Sequence, residues 1–224
     1  VSSPLADTAD HIINIQAGEE RAVAATKTYT AQLLAIAMLS AAWNQSSNQH
    51  SDLIKVPAYA ASALKLEMPI AEFAPRYRYM DQCVVLGRGF NYATAYEWSL
   101  KLKELCYVVA QPYSSADFQH GPIALVTGGF PVFAIAPHGQ VFSEMSGLLR
   151  RLKEQQQAEL FVISNDAGLL ETADCAVPLP KQVPEWLSPL IGIIPAQLFC
   201  YHLTLLKGID PDAPRGLSKV TRTR

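Results

Sequence analysis

The fold is decided by the stretch Gln82–Ala110, which reads QCVVLGRGFNYATAYEWSLKLKELCYVVA. It opens with an unalternating apolar run, Gln82–Gly87, and closes with a second one, Cys106–Ala110. Between them, Ala95–Leu105 has a helical pattern with charged side chains on one face. A strand, a helix and another strand make a βαβ unit, and fully apolar strands are typical of a parallel sheet covered on both faces.

The same alternation continues towards the end of the chain. Three further apolar runs of strand length are Pro131–Ala136, Glu159–Ser164 and Cys175–Leu179. Helical patterns separate most of these runs. We therefore predict a three-layer, doubly wound α/β domain with a five-stranded parallel sheet over residues 75–224.

The first 74 residues do not supply another such domain, because they offer one short strand candidate, His11–Ile15, and two helical stretches. They nevertheless match the end of the chain. DTAD at 7–10 recurs as ETAD at 171–174, and AQL at 31–33 recurs at 196–198. We interpret this as a tandem repeat, in which residues 1 to about 50 are the tail of a first α/β domain, with roughly 85 to 90 residues missing in front of it; residues 1–74 comprise this tail and the connecting helices.

The connection between the two units is expected between residues 44 and 78. Asn44–Ser51 is a polar stretch that predicts a loop. Leu53–Arg78 has an amphipathic helical pattern, which Pro57 and Pro69 interrupt. We therefore place the junction of the two domains here, with the boundary after residue 74.

Composition limits the classes of function. Of the 224 residues, 50% are hydrophobic and 17% are charged, and the net charge is -2. This composition suits a globular protein and lacks the basic surface that nucleic-acid binding requires. No apolar run reaches the ~18 residues of a membrane span, and the start has no signal-peptide pattern. We expect a cytoplasmic protein that binds neither nucleic acid nor a membrane.

The cysteines and histidines show no metal-ligand spacing. Cys83, Cys106, Cys175 and Cys200 each lie in an apolar run, without a CxxC pair. Buried free thiols therefore explain them better than disulfides or zinc ligands. The five histidines form no HxxxH or HExxH pattern. We predict neither a metal nor a cofactor.

One charged stripe lies on the predicted helix. Glu97, Lys101 and Glu104 are spaced at i, i+4 and i+7, so they share one face. Glu104 lies near the helix C-terminus, where the macrodipole disfavours a carboxylate, and such a group suits proton transfer next to a carbonyl. Alternatively, Glu104 is a helix-end charge that pairs with Lys101 or Lys103.

Two further polar residues lie in predicted loops. His120 is followed by Gly121 and Pro122, which predict a turn that holds the imidazole over the end of a parallel strand. Lys219 lies in a proline-containing tail after the last helix. Each is alternatively a solvated surface side chain. Only a tail that folds back over a pocket would bring Lys219 into a site.

Two predicted helix starts have weak features of an anion site. Gly87-Arg88-Gly89 follows a strand but lacks the GxGxxG and GK[ST] patterns, so a tight strand-to-helix turn is favoured. AVAATKTYT at 22–30 opens a long helix, with a hydroxyl at Thr26. Small residues and a hydroxyl at a helix start can accept a phosphate or a sugar hydroxyl. Close helix packing explains them equally well.

Taken in order, the motifs resemble one family. VAATK at 23–27, YEWSLKLKE at 96–104, QHGP at 119–122 and DAPRGLSK at 212–219 are similar to the tandem sugar isomerase (SIS) domain family. The resemblance extends to the isomerase half of glucosamine-6-phosphate synthases and to stand-alone phosphosugar isomerases and deaminases. It covers nearly the whole chain, and it implies a flavodoxin-like parallel sheet in each domain and a homodimer.

The resemblance also implies roles for single residues. Glu104 matches the base that moves a proton between C1 and C2 of the sugar, and His120 matches a ring-opening residue donated to the neighbouring subunit's site. Lys219 matches a tail lysine that reaches the sugar. These three residues are the implied catalytic set.

The implied substrate-binding set surrounds them. Val23 and Ala25 match positions that line the sugar pocket, and Thr26 is the hydroxyl at the adjacent helix start. Lys101 matches a lysine beside the site, and Ser218 precedes the tail lysine.

The chain departs from the family pattern at several positions. Ala25 stands where the synthases have a serine, Trp98 replaces a helix glycine, and Asp117 replaces a glutamate. The family's phosphate-binding hydroxyl loops belong to the first half of the first domain. The resemblance therefore implies that residues 1–224 lack most of the phosphate site.

The implied activity is C1–C2 proton transfer on hexosamine or ketose 6-phosphates, by a phosphosugar isomerase or a glucosamine-6-phosphate deaminase. The ending LSKVT at 217–221 and the altered pocket favour the deaminase-type relatives. One alternative is the isomerase portion of a glutamine-dependent glucosamine-6-phosphate synthase. Another is a non-catalytic sugar-phosphate sensor, which the joint presence of Glu104, His120 and Lys219 disfavours because a binding module needs no base.

Overall fold

A computed structural model describes residues 3–219 and contains one five-stranded sheet in which every strand pairing is parallel. The strands are β1 (Gln82–Gly87), β2 (Val109–Ser114), β3 (Pro131–Ile135), β4 (Glu159–Ser164) and β5 (Cys175–Pro178). Their order across the sheet is β2-β1-β3-β4-β5. The predicted five-stranded parallel α/β fold is confirmed.

Nine α-helices precede, connect and follow the strands of this part of the chain. They are α1 (Pro4–Thr8), α2 (Lys27–Asn44), α3 (Ser47–Leu64), α4 (Glu67–Phe73), α5 (Asn91–Cys106), α6 (Ser115–Phe118), α7 (Phe142–Gln156), α8 (Ala167–Leu170) and α9 (Ser188–Leu206). Short 3-10 helices cover Ala74–Tyr77, Pro122–Leu125 and Glu185–Leu187.

The sheet is covered on both faces, as its apolar strands require. Val85 of β1 belongs to a core with α5 and α9, while its neighbours Val84 and Leu86 belong to a second core with α7. Successive strand side chains point to opposite faces, so a strand buried on both sides has no polar positions to alternate with. Three layers result, with the sheet in the middle.

Most predicted strands match, but the one placed at Cys106–Ala110 is shifted. Helix α5 continues to Cys106, and Tyr107 ends it in a left-handed conformation with φ of 55°. The Val108 N–H then donates to Leu102 O over 3.1 Å, so the strand begins only at Val109. Pro112 is tolerated inside β2 because β2 is an edge strand.

The strand predicted at His11–Ile15 is wrong. These residues belong to no strand, because none of the described residues pairs with them and a strand needs a neighbour to satisfy its backbone groups. The order of elements still parallels the end of the chain: α1, an irregular segment and α2 correspond to α8, β5 and α9. This correspondence supports the interpretation of an internal repeat.

The loop predicted at Asn44–Ser51 is also wrong. Helix α2 reaches Asn44 and α3 begins at Ser47, which leaves a two-residue turn. Gln45 takes the left-handed conformation there, and Ser46 Oγ accepts from Gln49 N over 3.3 Å as the N-cap of α3. A polar sequence with a capping serine thus starts a helix instead of forming a loop.

The predicted connecting helices are present and pack onto the following domain. Pro57 lies inside α3 and Pro69 in the first turns of α4. The Tyr59 hydroxyl of α3 donates to Gln182 O over 2.9 Å, and Phe73 of α4 packs edge-on against Phe161 of β4. These contacts join residues 47–73 to the core of the sheet domain.

One helical segment, Glu185–Leu206, is long and apolar enough to cross a membrane, contrary to the expectation that no such run exists. Length and composition alone do not make it a membrane span, because 61% of its most apolar window is buried inside the molecule. Helix α9 packs along α5, with Ile191, Phe199 and Leu203 fully buried. We interpret it as the central helix of the core.

Candidate functional site

Three charged side chains of α5 form a buried cluster. Lys101 Nζ lies 2.8 Å from Glu104 Oε2, to which it donates a hydrogen bond, and 3.2 Å from Glu97 Oε1. Lys101 is only 3% exposed and Glu97 is 9% exposed. The helical spacing therefore does place the three groups together, and the predicted pairing of Glu104 with Lys101 is present as well.

Burial and mutual attraction set the charges of this cluster. Burial disfavours the Lys101 ammonium, but the hydrogen bond to Glu104 and the two carboxylates outweigh it and raise the pKa of Lys101. Burial also raises the pKa of Glu97, against the opposing effect of Lys101. Glu97 Oε1 has no hydrogen-bond partner among the described residues, because its contact with Lys101 is an ion pair without hydrogen-bond geometry.

The position of the cluster follows from the βαβ connection. Strands β1 and β2 run parallel in register from Gln82↔Val109 to Gly87↔Ser114, so α5 returns from the end of β1 to the start of β2. Lys101 and Glu104, in the last turns of α5, therefore lie towards the edge of the sheet at which the strands begin. We call this the amino edge, and the opposite one the carboxyl edge.

The C-terminal tail returns to the amino edge. Lys207 Nζ, at the end of α9, donates to Met80 O over 2.8 Å, just before β1 begins. Arg215 then contacts Tyr107, and Lys219 Nζ donates to Ala22 O over 2.6 Å. The tail thus folds back, and its lysine contacts the segment before α2.

That segment contains the other predicted binding residues. Val23, Ala25 and Thr26 are partly buried and lie one to four residues beyond the contact of Lys219 with Ala22. Ser218 is exposed and adjacent to Lys219. The predicted substrate-binding loop and the tail are therefore neighbours, although the contacting residues Ala22 and Lys219 are 197 positions apart in sequence.

The start of α2 holds a carboxylate that sequence reasoning missed. Glu20 Oε2 accepts from Thr28 N over 2.7 Å, and Glu20 Oε1 accepts from the Thr26 hydroxyl over 3.4 Å. Burial opposes ionisation, but the hydrogen bonds from Thr28 and Thr26 and the charge of Lys219 lower the pKa of Glu20. The Thr26 hydroxyl and the helix start are thus occupied by a side chain, and no sequence pattern indicated that contact.

Tyr29 is a second residue that sequence reasoning missed. Burial, followed by the charge of Glu97, raises the pKa of Tyr29 to about 12. Tyr29 and Glu97 both line a groove of about 620 Å³ between α2 and α5. An aromatic residue at an apolar helix position is usually core, so the sequence gave no reason to select it.

His120 is not brought together with Glu104. It follows β2 and α6 in an exposed turn at the carboxyl edge, where Arg151 Nη2 donates to Gln119 Oε1 over 2.5 Å. Glu104 lies towards the amino edge, and a six-residue strand spans roughly 20 Å. Within one chain, His120 and the α5 cluster therefore cannot contact one small substrate.

The turn after β1 is a close strand-to-helix turn. A side chain at Gly87 would place Cβ 2.2 Å from Asn91 O, so glycine is needed there for the close strand-to-helix turn. The cavity beside Arg88 and Asn91 holds only about 10 Å³, and the Glu185 carboxylate accepts from Gln140 N at its rim. The tight-turn interpretation of the sequence is confirmed.

Trp98, which departs from the family pattern, fills the core between α5 and the sheet. It is fully buried, with its ring centre 5.0 Å from that of Phe133 and 5.4 Å from that of Phe161. The four cysteines are buried and free, as predicted. Within residues 3–219, no group of three or more His, Cys, Asp or Glu side chains is arranged to hold a metal ion.

A family model and several related sequences identify the same family. The SIS domain model matches residues 78–207, which is more than half of the chain. The glutamine–fructose-6-phosphate aminotransferase (isomerizing) of Pyrococcus horikoshii is 39% identical over 218 residues, which cover 94% of this chain and 36% of that protein. The aminotransferase of the same name from Bacteroides thetaiotaomicron is 34% identical over 215 residues, covering 92% and 35%. The chain thus spans about a third of the length of these relatives.

Solved structures have the same fold. The C-terminal domain of glucosamine-fructose-6-phosphate aminotransferase from Francisella tularensis superposes with a TM-score of 0.79 and 30% identity, over 88% of this chain and 58% of that one. The glucosamine-6-phosphate deaminase of Thermotoga maritima has a TM-score of 0.73 at 24% identity, over 90% and 58%, which shows a common fold. With five parallel strands, the motifs in order and these matches, the chain belongs to the SIS domain family.

Proposed function

We propose that this chain is the sugar-isomerising part of an enzyme that acts on hexosamine or ketose 6-phosphates by C1–C2 proton transfer. One observation carries the proposal: Lys101 bridges Glu97 and Glu104 near the end of α5, where Arg215 of the tail, four residues before Lys219, contacts Tyr107. The carboxylates and cation of α5 therefore lie close to the point where a distant part of the sequence, the tail, contacts the same helix end. The names of the relatives support the same substrate class.

Glu104 is the proposed base. A carboxylate there removes a proton from one carbon beside the carbonyl and returns it to the neighbouring carbon, through an enediol or enolamine. Lys101 fixes the carboxylate by its 2.8 Å hydrogen bond, which orients one oxygen and leaves the other available. Lys219 and the segment 22–26 would contact the sugar, and Ser218 is adjacent to that contact.

A homodimer would complete the site. Tyr96 and Leu100 of α5 are large, exposed and one helical turn apart, and Tyr92 continues the same stripe. If two copies of α5 pack antiparallel along this stripe about a two-fold axis, the N-terminal end of one helix meets the C-terminal end of the other. Since His120 lies at the carboxyl edge, near the start of α5, it then approaches Glu104 of the second copy.

Mixing two inactive variants tests this arrangement. Full-length Glu104→Gln and His120→Ala proteins are each expected to lose turnover, because neither homodimer has a complete site. After subunit exchange, heterodimers with one intact site should restore about a quarter of wild-type activity at equal mixing. Subunit exchange is confirmed by native mass spectrometry. If the heterodimers form but no activity returns, the donation of His120 by the partner is contradicted. The unmixed proteins at the same total concentration are the controls.

The names of the relatives favour one version of the activity, the isomerase portion of a glutamine-dependent synthase, over the deaminase. Glutamine hydrolysis coupled to fructose 6-phosphate by the full-length protein would support that version. Ammonia release from glucosamine 6-phosphate without glutamine use would favour the deaminase. Tight binding without turnover of either sugar would favour a sensor.

We also propose the division into a first unit at 1–74 and a second at 75–224. The support is that α1, an irregular segment and α2 follow one another in the same order as α8, β5 and α9. A cytoplasmic location is supported by four buried cysteines that remain free.

A further inference from the structure

Tyr107 and Arg215 connect the tail to the end of α5 by two contacts. The Arg215 backbone N–H donates to the Tyr107 hydroxyl over 2.7 Å. The Arg215 guanidinium lies 4.1 Å from the centre of the Tyr107 ring, within the range of a cation–π contact. The backbone and the side chain of Arg215 therefore both contact the side chain of Tyr107.

Both residues are close in sequence to the proposed catalytic groups. Tyr107 lies three residues after Glu104, and Arg215 lies four residues before Lys219. Gly216 follows Arg215 directly with φ of +73°, a conformation that glycine adopts without strain. The chain turns there, and Lys219 Nζ then donates to Ala22 O. The pair thus attaches the tail to the end of α5 four residues before Lys219 contacts the segment at 22–26.

Tyr107 occupies a position where glycine is the usual residue. It ends α5 with φ of 55°, a left-handed conformation that is less favourable for a residue other than glycine. The tyrosine side chain supplies what glycine could not, a ring for the Arg215 guanidinium and a hydroxyl for its N–H.

We propose that Tyr107 and Arg215 form a latch that positions Lys219 beside the α5 cluster; this rests on the proposed function. Neither residue touches the reacting atoms in this scheme. The latch acts by raising the fraction of molecules in which the tail is closed, and the apparent affinity for substrate scales with that fraction.

The two contacts can be removed separately in the full-length protein. Tyr107→Phe deletes the hydroxyl that accepts the N–H and keeps the ring, whereas Arg215→Ala deletes the guanidinium and keeps the N–H. Each is expected to lower kcat/KM roughly three- to tenfold, the size of one such contact. Arg215→Lys should recover part of the loss, since it keeps a cation. Arg150→Ala is the matched control. It removes an arginine of α7 whose guanidinium donates to Gly168 O of α8 and which has no contact with the tail among the described residues.

A second background separates positioning from general structure. In Lys219→Ala protein, Arg215→Ala should cause no further loss, because the latch would have no lysine left to position. An equal loss in both backgrounds would overturn the proposal.

A readout without turnover separates its failure from that of the proposed function. An amine-acylating reagent, followed by peptide mass spectrometry, should label Lys219 several-fold faster in Tyr107→Phe than in wild type, with exposed Lys103 as the internal standard. Unchanged labelling of Lys219 would overturn the latch. If labelling rises but Lys219→Ala keeps full turnover, the latch holds and the catalytic role of Lys219 is wrong.

Discussion

Lys101 is the residue on which the α5 cluster depends, because it is the cation between two carboxylates and is itself almost fully buried. Lys101→Met fills the space without the charge and leaves Glu97 buried beside Glu104. Removal of one partner from a buried ion pair typically costs about 3–5 kcal/mol, so we expect a loss of that order in the free energy of unfolding at pH 7. Urea denaturation measures it.

The pH dependence of this loss has a defined sign. Burial already raises the pKa of Glu97, and removal of Lys101 takes away the effect that opposes it. A group whose pKa is higher in the folded state favours folding as the pH falls. The gap between Lys101→Met and wild type should therefore narrow from pH 7 towards pH 5. Lys103→Met, an exposed neighbour on the same helix, should change stability by no more than about 0.5 kcal/mol. A similar loss in both variants would refute the buried-pair account.

At the scale of elements, Asp174 joins α7, β4 and the segment before β1. It accepts from Lys153 Nζ at 2.6 Å and from Leu160 N at 2.8 Å, and Arg76 Nη2 lies 3.8 Å away. Burial alone would raise the pKa of Asp174, but the bonds from Lys153 and Leu160 and the charge of Arg76 lower it below the ordinary value. The carboxylate is therefore expected to stabilise the packing of these elements.

Asp174→Asn tests this expectation. A lowered folded-state pKa contributes stability above the unfolded-state value of about 3.9, and that contribution is lost as the pH falls through the folded-state pKa. The variant should lose about 1–3 kcal/mol at pH 7 in urea denaturation, and the difference from wild type should shrink below about pH 4. Asp81→Asn, at an exposed position, is the control. A difference that is independent of pH would show that the charge of Asp174 does not matter.

The elements also show what a sequence can and cannot predict. Buried strands such as Glu159–Ser164 were predictable because an apolar run without polar alternation indicates a strand that is buried on both faces. The charged stripe of α5 was predictable because helical spacing depends only on residues that are close in sequence. The strand prediction for His11–Ile15 was wrong because a strand forms only when another strand, distant in sequence, pairs with it. Glu20 and the Tyr107–Arg215 pair are contacts that the folded chain makes, and neither residue type nor local spacing specifies them.

In the molecule as a whole, the implied catalytic residues are divided between the two edges of one sheet. Glu104 and Lys219 belong to the amino edge, where α5, α9 and the tail end. His120 belongs to the carboxyl edge, beyond β2. In a single copy of residues 3–219, the proposed catalytic residues therefore lie at two different edges of the sheet, and the proposed dimer would combine them.

The central claim is that Glu104 transfers the proton between C1 and C2, and hydrogen exchange measures that step directly. Full-length protein is incubated with fructose 6-phosphate in D₂O, and deuterium at the carbon next to the carbonyl is followed by NMR. Glu104→Gln should slow this exchange by about 10²–10⁴-fold, while the exposed Glu154→Gln should leave it unchanged. Exchange by Glu104→Gln within about threefold of wild type would contradict the account, since far more than that is expected from a general base.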